Sequence, residues 1–326
     1  MRNAAAAALL VASLAGSARA AFNDKDVGTA AGTFLKLGPD ARSDAVAGAV
    51  HSTNESASAI YWNPAGLATL RHREVTLSHT AYFQNVFYDY VGYAQPIDAF
   101  IGGDRRDRSQ IANDYGAIGV GVVYLNAGQI GEVDNTGLAT GDSFTPQDFS
   151  FMAGWGLTVA HDIDVGITGK YVSERIKDSA STGAFDFGAR YHLRLASILY
   201  TLSAGAQNLG GQLKFIQAGN PLPLTLYVGN SLRLTKDWTV SFDVIAPRDD
   251  GAYPAFGTEY RFVLDPEISA ALRAGYQRDT SSGDLGGLTG ISLGAGLGLS
   301  RFSVDYAWAP FGVLGDAHHF SLSYRF

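Results

Sequence analysis

The 326-residue chain has no cysteine, which excludes a small secreted fold stapled by disulfides. It has no strong positive charge either. The formal net charge is −7, which argues against nucleic acid as a partner. Beyond the N-terminus there is no apolar run near the roughly 20 residues that a membrane-spanning helix needs. No Pro- or Ser-rich linker divides the chain into soluble domains. What is abundant is glycine, with 39 residues, and aromatic side chains, at 12%.

The N-terminus reads as an export signal. Arg2 supplies a basic start, residues 4–15 are apolar, and Ala18-Arg19-Ala20 is an Ala-x-Ala exit. Residues 1–20 are therefore expected to be a cleaved signal peptide, with the mature chain starting near Ala21. A protein exported without a helical anchor is periplasmic, secreted or in the outer membrane.

The C-terminus narrows that choice. Phe320, Leu322, Tyr324 and Phe326 alternate with His319, Ser321, Ser323 and Arg325. Successive side chains of a strand point to opposite faces, so this strand has one apolar and one polar face. A final strand closing on Phe is the usual end of a bacterial outer-membrane barrel, with lipid on one face and a lumen on the other. Phe320, Leu322, Tyr324 and Phe326 are thus the candidate assembly signal, to be read by the barrel-assembly machinery.

Fourteen strand-like segments follow one another from residue 73 to residue 326, most of them of the length that crosses an outer membrane at a tilt. In 236–246, Trp238, Val240, Phe242 and Val244 oppose Thr239, Ser241 and Asp243. The connections alternate between short and long, as they do between the two ends of such a barrel. The 96–115 connection breaks the rhythm: it should be short and is long. Residues 21–71 lack period two and are rich in Ala, Gly, Ser and Asp. Polar backbone at membrane depth must be enclosed by protein, so 21–71 is expected to plug the lumen. A short helix is expected over 41–49. The fold expectation is an all-β, 14-stranded antiparallel transmembrane β-barrel over 72–326, with an N-terminal plug.

Specific motifs carry a resemblance. They are Gly32-Thr33-Phe34-Leu35-Lys36-Leu37-Gly38, Tyr61-Trp62-Asn63-Pro64-Ala65-Gly66-Leu67, Gln207-Asn208-Leu209-Gly210, Arg273-Ala274-Gly275-Tyr276 and Asp305-Tyr306-Ala307. The chain resembles the PorV/PorQ family, within the wider superfamily of FadL-type outer-membrane channels for fatty acids and hydrocarbons. The resemblance implies a bacterial outer-membrane location and a plugged 14-stranded barrel. It implies an accessory or shuttle role in type IX-like protein secretion, with secreted cargo or secretion-system proteins as partners. The alternative it implies is a transporter of hydrophobic small molecules.

Besides the assembly signal, two groups of residues are site candidates. Tyr61, Trp62, Asn63, Pro64, Ala65 and Gly66 form the plug turn: Pro64 fixes its own φ, and the Asn63 side chain can bond local backbone. Lys170, Glu174, Asp186, Arg190, Asp243, Glu259, Arg261, Arg273, Arg301 and Asp305 fall on polar faces and are expected in the lumen, because charge is costly against lipid. Both signs occur, which points to paired ladders rather than an ion-selective pore. Arg42 is expected to bond a lumen carboxylate. Gly294, Gly296 and Gly298 lie within a strand, where a nucleotide loop does not form; close approach of the plug is expected instead. No histidine set has metal-ligand spacing, and no local motif suggests a catalytic triad. No enzyme activity and no cofactor are expected.

Overall fold

The computed structural model describes residues 28–97, 115–195, 198–215, 219–278 and 286–326. The expected signal peptide, most of the 96–115 connection and the first seven residues of the expected plug segment lie outside them. The strands among the described residues are β1 Glu74–Ala81, β2 Phe87–Pro96, β3 Ala117–Asn126, β4 Ile130–Val133, β5 Ala139–Phe144, β6 Gln147–Ala160, β7 Ile163–Arg175, β8 Ser179–Leu195 and β9 Ile198–Gly210. They continue as β10 Gln212–Lys214, β11 Gly219–Pro221, β12 Thr225–Arg233, β13 Trp238–Pro247, β14 Tyr253–Asp265, β15 Ile268–Gln277, β16 Ile291–Leu299, β17 Phe302–Pro310 and β18 Asp316–Arg325.

Fourteen of these close into one barrel, while β4–β5 and β10–β11 are separate hairpins within two long loops. Closure is antiparallel, from Glu74 opposite Arg325 to Ala81 opposite His318. Closing the sheet leaves no unpaired edge. Period two sorts the side chains. In β18, Ala317, His319 and Ser321 are buried, while Phe320 and Leu322 are 49% and 42% exposed on the outside. Phe326 follows β18 and donates its N–H to the Arg73 carbonyl at 3.0 Å. Its ring stacks on Tyr324 at 5.4 Å and Tyr93 at 6.4 Å, forming part of an aromatic rim.

One end of the barrel carries tight turns, such as those between β6 and β7 and between β16 and β17. The other end carries the hairpin loops. Described residues before β1 sit inside the barrel. The Ala31 N–H bonds the Pro221 carbonyl at 3.0 Å, which places this part of the chain at the long-loop end. The chain then descends, turns back and leaves at the short-turn end into β1. The expected 41–49 helix is shorter than its sequence suggests. It spans Ala41–Asp44, with the Asp40 carboxylate capping the Ser43 N–H. It stops because Ala47 and Gly48 take φ of 52° and 72°, a left-handed conformation that no right-handed helix continues. A second turn of helix, Ala59–Trp62, runs into a corner at Asn63 and a 3₁₀ helix, Pro64–Thr69.

The main hydrophobic core is therefore inside the barrel. Phe34, Leu35, Ile60, Tyr61 and Leu67 pack with wall residues Tyr88, Tyr90, Val123, Met152 and Val172.

Candidate functional site

The corner at Asn63 is built locally and then seated on the wall. The Asn63 Oδ1 accepts from the Ala65 N–H at 3.1 Å, and its amide donates to the His51 carbonyl at 2.8 Å. Tyr61, Trp62, Asn63, Pro64, Ala65 and Gly66 are all buried. Three wall glycines, Gly156, Gly166 and Gly188, are mutually paired across β6, β7 and β8. A Cβ on Gly156 or Gly166 would collide with Pro64 backbone, and one on Gly188 with Asn63 Oδ1. The smooth wall is what lets an irregular backbone approach this closely.

Wall side chains satisfy the plug backbone that no secondary structure pairs. Arg190 is 1% exposed. It donates to the Asn54 and Ala65 carbonyls at 3.2 and 3.3 Å and to Thr69 Oγ1 at 3.0 Å. The Gln207 amide donates to the Tyr61 and Trp62 carbonyls at 2.8 and 3.0 Å. Glu174 accepts from the Gly32 N–H at 2.9 Å. Within the wall, Lys170 pairs with Asp186 at 2.7 Å. These contacts meet the requirement that buried backbone groups find partners away from water.

A ladder of charges lies across the lumen from the corner. Arg42 holds Glu259 with two bonds, at 2.9 and 3.2 Å. Arg273 bridges Glu259 at 2.6 Å and Asp305 at 2.7 Å. Arg261 stands at the lumen mouth, 3.6 Å from Glu259. Asp243 accepts from the His51 N–H at 3.0 Å and contacts its Nδ1 at 2.8 Å. Arg301 is a correction. It lies outside β17, exposed in the tight turn, so it does not join the lumen ladder; a turn at the rim lets its charge keep water. The glycine run is a second correction. Gly294 faces the plug, at Ala45, but Gly296 makes room for the Asp305–Arg273 pair and Gly298 faces Ser269.

The plug leaves a cavity on each side. At the short-turn end a polar vestibule of about 740 Å³ is lined by Arg42, Arg194, Arg233, Arg261 and Arg325, among others. At the long-loop end lies a cavity of about 360 Å³, within the size range of small-molecule sites. Its lining includes the aromatic rings of Tyr61, Trp62, Tyr82 and Phe311. Tyr61 and Trp62 meet edge to face at 5.5 Å, and Tyr82 and Phe311 at 6.1 Å. The lining also includes polar groups of His51, Gln207, Gln277 and Ser292, and the charged plug residues Lys36 and Asp44.

Sequence reasoning singled out Tyr61 and Trp62 but not the wall residues of this cavity. His51 lacks metal-ligand spacing to the other histidines, and Gln277 and Ser292 come from strands whose register a sequence does not show.

No family model matches the chain, and no curated protein matches its sequence. Solved structures do match its fold. The toluene transporter TbuX of Ralstonia pickettii superposes with a TM-score of 0.59 at 13% identity, covering 90% of this chain and 99% of that one. The monoaromatic hydrocarbon channel CymD gives 0.54 at 11% identity, covering 89% and 98%. A FadL homologue of Pseudomonas aeruginosa gives 0.51 at 10% identity, covering 88% and 98%. At these identities the likeness shows the fold alone, a closed 14-stranded antiparallel barrel.

Proposed function

We propose that this protein sits in the bacterial outer membrane and admits hydrophobic small molecules through a plugged barrel. The observation that carries the reading is the aromatic-lined cavity of about 360 Å³ above the plug, at the long-loop end. The outward face supports the location: it is apolar and aromatic along β18, with polar and small residues turned inward. The solved neighbours named as toluene and hydrocarbon transporters support the substrate class. They favour passage of small molecules over the secretion role.

On this reading the ligand enters from the loop end and rests against Tyr61, Trp62, Tyr82 and Phe311. Onward passage requires the plug to shift, because its core packs against the wall on several strands. Two measurements test this. The mature protein should fractionate with outer membranes and migrate according to heating. A strain carrying it should take up toluene faster than one carrying an empty vector. Recovery as a soluble monomer, or equal uptake in the two strains, counts against the reading.

A further inference from the structure

The outer cavity is not lined like a hydrocarbon site. Ser292, on β16, is only 7% exposed, and it lines the cavity with a hydroxyl group. Gln277, on the adjacent strand β15, lines the same cavity with its side-chain amide. The two lie on the same inward face, because Ser292 pairs with Gly275, two residues from Gln277. His51 Nδ1 is committed to Asp243, but its Nε2 has no partner. Gln207 spends its amide nitrogen on the plug backbone and keeps its oxygen.

Cavities that stay dry and take up bare hydrocarbons are apolar, whereas polar cavities hold water. A hydrocarbon that displaces such water leaves the polar groups unbonded, and affinity falls. A ligand with its own hydroxyl replaces the water instead. Resting on the reading above, we infer that the cavity prefers an aromatic ring bearing a hydrogen-bonding substituent, such as a phenol or aromatic alcohol, over a plain aromatic hydrocarbon. The ring packs among Tyr61, Trp62, Tyr82 and Phe311, where edge-to-face contacts are available. The substituent meets Gln277 and Ser292, which would be specificity-determining residues.

The test uses the detergent-solubilised full chain. Trp62 lines the cavity, and its fluorescence, excited where the probes do not absorb, reports binding; a Trp62→Phe control identifies the signal. Toluene and 4-methylphenol have the same ring and methyl group and differ by one hydroxyl. 4-Methylphenol should bind about tenfold more tightly, the value of one or two good hydrogen bonds. The double variant Gln277→Leu, Ser292→Ala should bring the two probes within about twofold. The wild-type comparison decides alone if that variant does not fold. Equal or tighter binding of toluene by wild type overturns the inference and leaves the passage reading intact. Quenching by neither probe overturns both.

Discussion

The two halves of the plug meet the same kind of wall by different means. Residues 36–51 carry Lys36, Asp44, Arg42 and His51, and each contacts an oppositely charged or titratable wall group: Asp249, His319, Glu259 and Asp243, at 2.8 to 2.9 Å. Residues 59–69 carry no charged side chain. Both halves lie on glycines: Gly257 and Gly275 face Val46, as Gly156 and Gly166 face Pro64. What differs is how each half responds to its surroundings. Close packing is insensitive to salt, whereas pairs that reach water, such as Lys36–Asp249 and Arg42–Glu259, are screened. If the plug moves to pass a ligand, the first half is the one that conditions can loosen.

The comparison can be broken most forcefully at Arg190, the wall charge that hydrogen-bonds the second half. Arg190→Met should destabilise the corner by about 3–5 kcal/mol, because it leaves three plug oxygens buried without their donor, at about 1–3 kcal/mol each. Hydrogen exchange across 59–69 should then become as fast as across 36–51. Unchanged protection would mean that shape alone seats the corner.

A smaller effect is expected at the glycine row. Gly166→Val puts side-chain atoms where the Pro64 backbone lies, and overpacking of this kind typically costs about 1–3 kcal/mol. The barrel should still assemble, with raised conductance in planar bilayers from a displaced corner. A silent variant would show that the wall yields more readily than the plug.

The smallest effect sharpens the comparison from the other side. The Arg42 side chain is 34% exposed, so solvent screens its pair with Glu259. Arg42→Gln should cost about 1 kcal/mol or less. Its mark should be selective: raising salt should speed hydrogen exchange over 36–51 in wild type and do so less in the variant. An equal salt response in both would remove the charge ladder as the source of the difference.

Much of this architecture was legible residue by residue. The Asn63–Pro64 corner could be read because its chemistry is local: proline restricts its neighbour, and asparagine bonds two residues on. The lumen charges could be read because period two separates faces within any one strand. Arg301 was misread because strand ends are uncertain by a residue or two: it falls one residue before β17 begins at Phe302, in the turn, where the alternation no longer holds. Arg190 could not be ranked above Lys170 or Asp186. Its importance lies in reaching Asn54, Ala65 and Thr69, which are more than a hundred residues away in the chain.

The sequence by itself determined the strand alternation, the number of barrel strands and the segment that does not read as barrel wall. These follow from the hydrophobic period, a property of short stretches. Only the tertiary structure decided which glycines lie beneath the plug, which charges pair across the lumen, and that Gln277 and Ser292 share a cavity with Trp62. Those facts depend on the register between strands and on where the plug sits, and register is set jointly by contacts between residues far apart in the chain.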